Sequence, residues 1–182
     1  GVAAGADAVY LGGKLFSARQ SAENFSLEEL EEACDYCHLR GVKVYVTVNT
    51  LYKEEELKEL LGFVGKLYKM GVDALILQDS GAAKMIQEKY PDFPLHASTQ
   101  MTANSLEDVR YWESLGFSKV VLSRELSLKE IEEITTQSGV EIETFVHGAL
   151  CVCYSGQCLM SSILGGRSGN RGRCAQTCRL PY

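Results

Sequence analysis

"GVDALIL", residues 71–77, is one of three versions of the same phrase: "GADAVYL" occupies 5–11 and "GFSKVVL" occupies 116–122. Each opens on a glycine, takes a short polar step and runs into aliphatic, β-branched residues. Glycine just past a helix reaches the left-handed conformation without strain, so each phrase reads as the end of a helix followed by a strand. The unbroken apolar runs mark strands buried on both faces, as a parallel sheet requires.

Working outward, strands are predicted near 8–11, 43–49, 73–78, 95–98, 119–123 and 141–147, with helices between them. Ser26-Leu27-Glu28-Glu29 is a capping box opening a helix to about Arg40, and Ser127-Leu128-Lys129-Glu130 opens another to about Ser138. Further helices are expected over about 54–70, 81–90 (closed by Pro91) and 105–115. Strict alternation with short connections argues a parallel α/β fold. A doubly wound sheet would carry a glycine-rich phosphate loop after its first strand, and "LGGKLFSARQ" matches that poorly. The expectation is a (β/α) barrel-like fold. The opening "GVAAGADAVYLGG" reads as the last turn of a helix entering a strand, and "CRLPY" ends inside no finished element. The barrel is therefore expected to be truncated at both ends, with one βα unit before Gly1 and a closing strand beyond Tyr182. Residues 1–150 form the barrel-like domain and 151–182 a cysteine- and arginine-rich loop segment of the same domain.

Hydrophobic residues make up 46% and charged residues 23% of the 182, which suits a globular domain. No apolar run reaches membrane-spanning length and no signal-peptide pattern opens the chain, so the expected setting is the cytoplasm, without a membrane partner. The net charge of −6 argues against a whole-surface nucleic-acid binder, yet it is segregated. No Asp or Glu follows Glu143, while Arg167, Arg171, Arg173 and Arg179 do, so residues 1–143 carry −10 and the rest +4. Anionic ligands would be drawn to that end.

Barrel chemistry sits at the C-terminal ends of the strands. Those positions are Asn49 and Thr50, Gln78 and Asp79, Ser98 to Gln100, Ser123 to Glu125, and His147 with Gly148. Asp79 and Ser105 also suit helix caps. Arg124 beside Glu125 suits a charged substrate, with Arg124 on its anionic group. His147, His96 and Gln100 are candidate proton-transfer or orienting groups, although a lone strand histidine such as His96 is more often a satisfied core residue. His38 reads as exposed. Cys34 and Cys37 are spaced to pack together on one helix face, and without a second ligand pair nearby a redox or metal use is the lesser reading.

Five more cysteines crowd the end of the chain: Cys151, Cys153, Cys158, Cys174 and Cys178. Disulfides are not expected in a chain with no mark of secretion. A nucleophile at Cys151 with His147 as base uses one cysteine and leaves four idle. Structural zinc favours two tight pairs, and C-x-C and C-x3-C around a middle Cys158 fit that weakly. An iron–sulfur cluster needs four thiolates, tolerates varied spacing, and suits the glycine- and serine-rich "YSGQC" and "LGGRSGNRGRC". Simple packing is the remaining reading.

The stretch "ETFVHGALCVCYSGQCLMS" resembles the signature of the collagenase-like peptidases, peptidase family U-thirty-two. Glu143, Phe145, Gly148, Ala149, Leu150, Cys151, Gly156, Cys158, Met160 and Ser161 meet its pattern without a gap. "GADAVYLGG", "HASTQM", "SREL" and "GNRGRCAQTCR" are also similar to that family. The resemblance implies a barrel-like α/β domain. It implies two kinds of activity, since the family is named for proteolysis while other members are oxygen-independent hydroxylases of transfer RNA, ribosomal RNA or a ubiquinone precursor. Those members carry a [4Fe–4S] cluster, with prephenate implicated as hydroxyl donor. Carried over, Cys151, Cys158 and Cys174 match cluster ligands, and the fourth is Cys178 or a cysteine further downstream. Cys153 matches none. The sequence shows no H-E-x-x-H zinc motif, so an RNA hydroxylase is expected, with peptidase activity as the alternative and zinc or no metal as the alternative to the cluster.

Overall fold

Six strands follow one another around the sheet in chain order, each parallel to and hydrogen-bonded with the next. These strands are β1 (Ala8–Gly12), β2 (Lys43–Val48), β3 (Ala74–Leu77), β4 (Leu95–Ala97), β5 (Lys119–Val121) and β6 (Glu141–Glu143). A doubly wound sheet reverses its strand order at a switch point. This one does not, so it is an arc of a (β/α) barrel, as expected. The fold is that of a computed structural model in which residues 1–181 are described.

Helices α1 (Leu27–His38), α2 (Leu57–Lys69), α3 (Ser80–Lys89), α4 (Leu106–Ser114) and α5 (Leu128–Gln137) connect successive strands. Both expected capping boxes form: Ser26 with Glu29, and Ser127 with Glu130. Asp79 caps α3 and Ser105 caps α4, each accepting from a backbone N–H three residues on. The three repeated glycines, Gly5, Gly71 and Gly116, have φ of 82°, 77° and 83°. That left-handed turn is why the same phrase recurs before three strands.

Alternate strand residues point to opposite faces. Val44, Val46, Leu75, Leu77, Leu95, Val120 and Leu122 are fully buried and join Leu30, Leu60, Val64, Leu67, Ile86 and Val109 of the helices in one core. Truncating such a leucine to alanine typically costs ~2–5 kcal/mol. Cys34 and Cys37 are buried in this core, and burial first of all pushes the Cys34 thiol up to about 11. They pack side by side in the core, as their spacing on one helix face predicts. His38 is bound rather than merely exposed: its Nε2 lies 2.8 Å from Asp73 Oδ2.

Two boundaries differ from expectation. Glu54–Glu56 forms a separate 3-10 turn ahead of α2. β6 stops at Glu143, short of the expected 147, because its last register partner is Val121, where β5 ends. Without a neighbour to pair with, the chain leaves the sheet. The segment after it is more structured than a loop. It holds the short helix α6 (Met160–Gly165) and 3-10 turns at Gly169–Arg171 and Thr177–Arg179.

Candidate functional site

The inner face of the arc carries the residues that alternate with the core set, and it mixes a polar group with apolar Ala74, Ile76 and Val121. Tyr45, His96, Lys119, Glu141 and Glu143 lie side by side across β2 and β4–β6. Lys119 Nζ is 3.2 Å from Glu141 and 3.8 Å from Glu143, and 4.9 Å from the Tyr45 ring centroid. His96 sits edge-on to Tyr45 at 4.6 Å. Burial, followed by the positive charge of Lys119, pushes the imidazole down to about 4, so His96 is neutral near pH 7. Its Nδ1 is buried with no hydrogen-bond partner among the described residues. His96 is the middle residue of β4, a layer below the strand ends.

At the strand ends, Asn49 accepts from the Ala18 N–H at 3.0 Å and its amide approaches Ser98 Oγ at 3.5 Å. Gln78 and Ser123 are buried, and Gln78 Oε1, Gln100 Oε1 and Ser123 Oγ have no hydrogen-bond partner among the described residues. Gln100 lies on the turn Thr99–Met101 after β4, its N–H on Ser98 Oγ at 3.3 Å.

The cysteine segment returns across these ends. Ser155, 1% exposed, lies against Arg124 and Glu125 just past β5. Thr102 Oγ1 donates to its carbonyl at 2.7 Å. Gly156 rests on the Gln100 carbonyl, where a Cβ would come within 2.1 Å. Farther on, Gly172 lies on the Ser17 carbonyl, the Gln20 N–H donates to its carbonyl at 3.1 Å, and Arg171 reaches Glu56. The segment therefore touches the loops after β1, β2, β4 and β5, a placement that no periodicity announced. Ser155, Thr102, Gln157 and Glu56 escaped the sequence reading, and Gly156 beside Ser155 was the one local signal.

Arg124 and Glu125 stand at the active end as expected, but their partner is Ser155. His147 is exposed, four residues beyond β6, in the bend that contains Gly148. No hydrogen bond joins it to Cys151 among the described residues. Cys151, Cys174 and Cys178 are exposed, and Cys153 and Cys158 half-buried. Cys174 Sγ accepts the Gln176 N–H at 3.4 Å and lies 3.7 Å from Ser161 Oγ. Free thiols flanked by glycines, with an N–H aimed at one sulfur, are the donor chemistry of an iron–sulfur site. The arrangement does not draw them together. Among the described residues, no three Cys, His, Asp or Glu side chains form a group that could hold a metal ion.

Comparison with known proteins adds to this geometry. The family model described as peptidase family U32 matches residues 1–182. The chain belongs to that family. Among the relatives of this U32 chain, a 23S rRNA 5-hydroxycytidine synthase of Escherichia coli is 46% identical over 178 residues, 98% of this chain and 27% of that protein. tRNA hydroxylation protein P of Escherichia coli is 42% identical over 98% of this chain and 40% of its own length. A collagenase of Porphyromonas gingivalis is 35% identical over 100% of this chain and 46% of that protein. The U32 chain thus spans less than half the length of these relatives. A solved U32 peptidase structure matches with a TM-score of 0.64 at 18% identity, covering 76% of this chain and 60% of that one, which supports the barrel-like fold. No helix among the described residues is long and apolar enough to cross a membrane.

Proposed function

We propose that this chain is the barrel and cysteine segment of an RNA-hydroxylating enzyme working in the cytoplasm. The observation that carries the proposal is the higher identity to the ribosomal and transfer RNA enzymes, 46% and 42%, than to the collagenase at 35%. The docking of the cysteine segment over the strand ends supports it, because that is where barrel chemistry is done. Cys151, Cys158 and Cys174, with Cys178 or a cysteine further downstream as fourth, would hold a [4Fe–4S] cluster. Such a cluster would supply one-electron chemistry, and the oxygen would come from a small-molecule donor, for which the family resemblance suggests prephenate.

The chain's own residues have separate tasks in this reading. His96 is held neutral, and its unpartnered Nδ1 can orient a group on the inner face by a hydrogen bond. Gln78, Gln100 and Ser123 offer unpaired oxygens to a hydrogen-bonding group of the substrate or donor. Arg167, Arg173 and Arg179 are exposed and take part in no ion pair among the described residues, with Arg179 donating to the Leu150 carbonyl, so these arginines are available for phosphate. The exposed rings of Phe145 and Tyr154 offer stacking faces for unpaired bases.

Mass spectrometry of nucleosides from the ribosomal and transfer RNA of cells with and without the gene tests the proposal. A nucleoside heavier by one oxygen should vanish on deletion and return with the wild-type gene but not with Cys158→Ser. An unchanged nucleoside profile overturns the proposal, and gelatin cleavage abolished by Cys151→Ala would establish the peptidase alternative.

A further inference from the structure

We propose that Ser155 is the positioning residue of the cysteine loop, and that Arg124 and Glu125 act through it to hold the loop rather than to bind substrate. Every polar group of Ser155 is engaged by a residue 30 or more positions away in sequence. Its hydroxyl accepts from Arg124 Nε and Nη2, both at 3.3 Å, and donates to Glu125 Oε2 at 3.4 Å. Its N–H donates to Glu125 Oε1 at 3.2 Å. Its carbonyl takes the Thr102 hydroxyl at 2.7 Å, and that hydroxyl in turn accepts from Gln157 Nε2 at 3.0 Å.

One hydroxyl proton and its lone pairs suffice for this set, so the cluster of bonds is chemically complete. Ser155 is itself buried, at 1% exposure, so breaking the set leaves its own polar groups without partners away from water. Ser155 lies two residues after Cys153 and three before Cys158, so fixing it fixes where both thiols emerge. The Arg124 guanidinium is occupied on its other side as well, lying 5.9 Å from the Phe145 ring centroid. Arg124 and Glu125 carry opposite charges and so leave the loop base close to neutral, which suits a clamp better than an anion site.

The inference rests on the proposed function only in taking Cys158 as a ligand, and its test separates the two. The full-length, iron-free protein is treated with a thiol-alkylating reagent, and each cysteine is followed by peptide mass spectrometry. Ser155→Ala and Arg124→Ala should raise the labelling rate of half-buried Cys158 by about tenfold, the factor expected from losing one charge-assisted hydrogen bond. Core Cys34 and Cys37 should stay unlabelled, which shows the fold intact. Glu125→Gln keeps an oxygen acceptor for the Ser155 N–H and should restore most of the protection that Glu125→Ala loses.

Unchanged Cys158 labelling in Ser155→Ala overturns the proposal, as does equal labelling of Glu125→Gln and Glu125→Ala. A raised KM in Arg124→Ala with Cys158 still protected assigns Arg124 to substrate instead. If Ser155→Ala also exposes Cys34, the comparison of the two Glu125 variants decides. Reconstitution with iron and sulfide gives the independent arm. Protein that takes up no iron but shows the expected labelling pattern retains the latch and loses the cluster.

Discussion

Arg171 closes on Glu56 across 115 residues of chain, with Nη1 2.9 Å from Oε2 and Nη2 2.5 Å from Oε1. The same Nη1 donates to the Leu51 carbonyl at 2.9 Å, and the Leu51 N–H returns a bond to the Asn170 carbonyl at 3.0 Å. A planar fork on a carboxylate is geometrically specific. One of the four tail arginines is thus spent on fixing the tail to the loop after β2.

Arg171→Ala should destabilise the native state by about 1 kcal/mol near neutral pH, a modest figure because the pair is partly exposed and screened. The hydrogen bond from Arg171, with that from the Lys53 backbone, holds the Glu56 carboxyl down to about 2. A depressed carboxyl contributes stability above its unfolded value and loses it as pH falls toward the folded value. The difference between wild type and Arg171→Ala in urea unfolding should therefore be full at pH 7 and shrink below about pH 4.5.

His96 works in a neighbouring window. Its folded value of about 4 lies below the usual histidine value of about 6.5. Between those pH values the unfolded chain binds a proton that the native state does not, so stability falls as pH drops below about 6.5 and is flat above it. Urea unfolding at pH 7.5 and pH 4.5 should show a loss on the order of 2 kcal/mol that His96→Gln abolishes. An equal loss in the variant would assign the effect to other groups.

Gly156→Ala should lift the cysteine loop without unfolding the barrel. The added Cβ meets the Gln100 carbonyl at 2.1 Å, and the backbone φ of +78° disfavours any side chain. The substitution should cost more than about 1 kcal/mol locally. Limited proteolysis should then cut within residues 151–158, while far-ultraviolet circular dichroism stays as in wild type.

Intact-mass analysis after brief alkylation should give at most five adducts in native protein and seven after denaturation, with Cys34 and Cys37 accounting for the difference. Rapid native labelling of Cys34 would contradict its burial and its raised thiol pKa.

The barrel was legible because local rules wrote it. Left-handed glycines at 5, 71 and 116, two capping boxes and apolar strand runs are short-range signals that the tertiary structure leaves intact, although only β3 and β4 are buried along their whole length and Tyr10 of β1 is exposed. The end of β6 was not legible, because strand length depends on a neighbour and β5 runs out at Val121. The active end was legible as a ring of polar residues, since barrel topology puts chemistry there. What those residues touch was not, because Ser155 meets Arg124 and Glu125 through contacts 31 and 30 residues apart, and Arg171 meets Glu56 across 115. Arg124 beside Glu125 suits a charged substrate on adjacency alone. The sequence shows that two charges are adjacent, but not that a buried serine from the tail fills the space between them.

The central claim is that the docked cysteine segment is the cofactor-binding part of this fold. Anaerobic reconstitution of the full-length protein, followed by iron and acid-labile sulfide analysis with a visible spectrum, tests it most directly. The account predicts matched iron and sulfide with a broad brown absorption band, both lost in Cys158→Ser and retained in Cys153→Ser. Protein that binds neither iron nor sulfide, or a Cys158→Ser variant with a full complement of both, would contradict it.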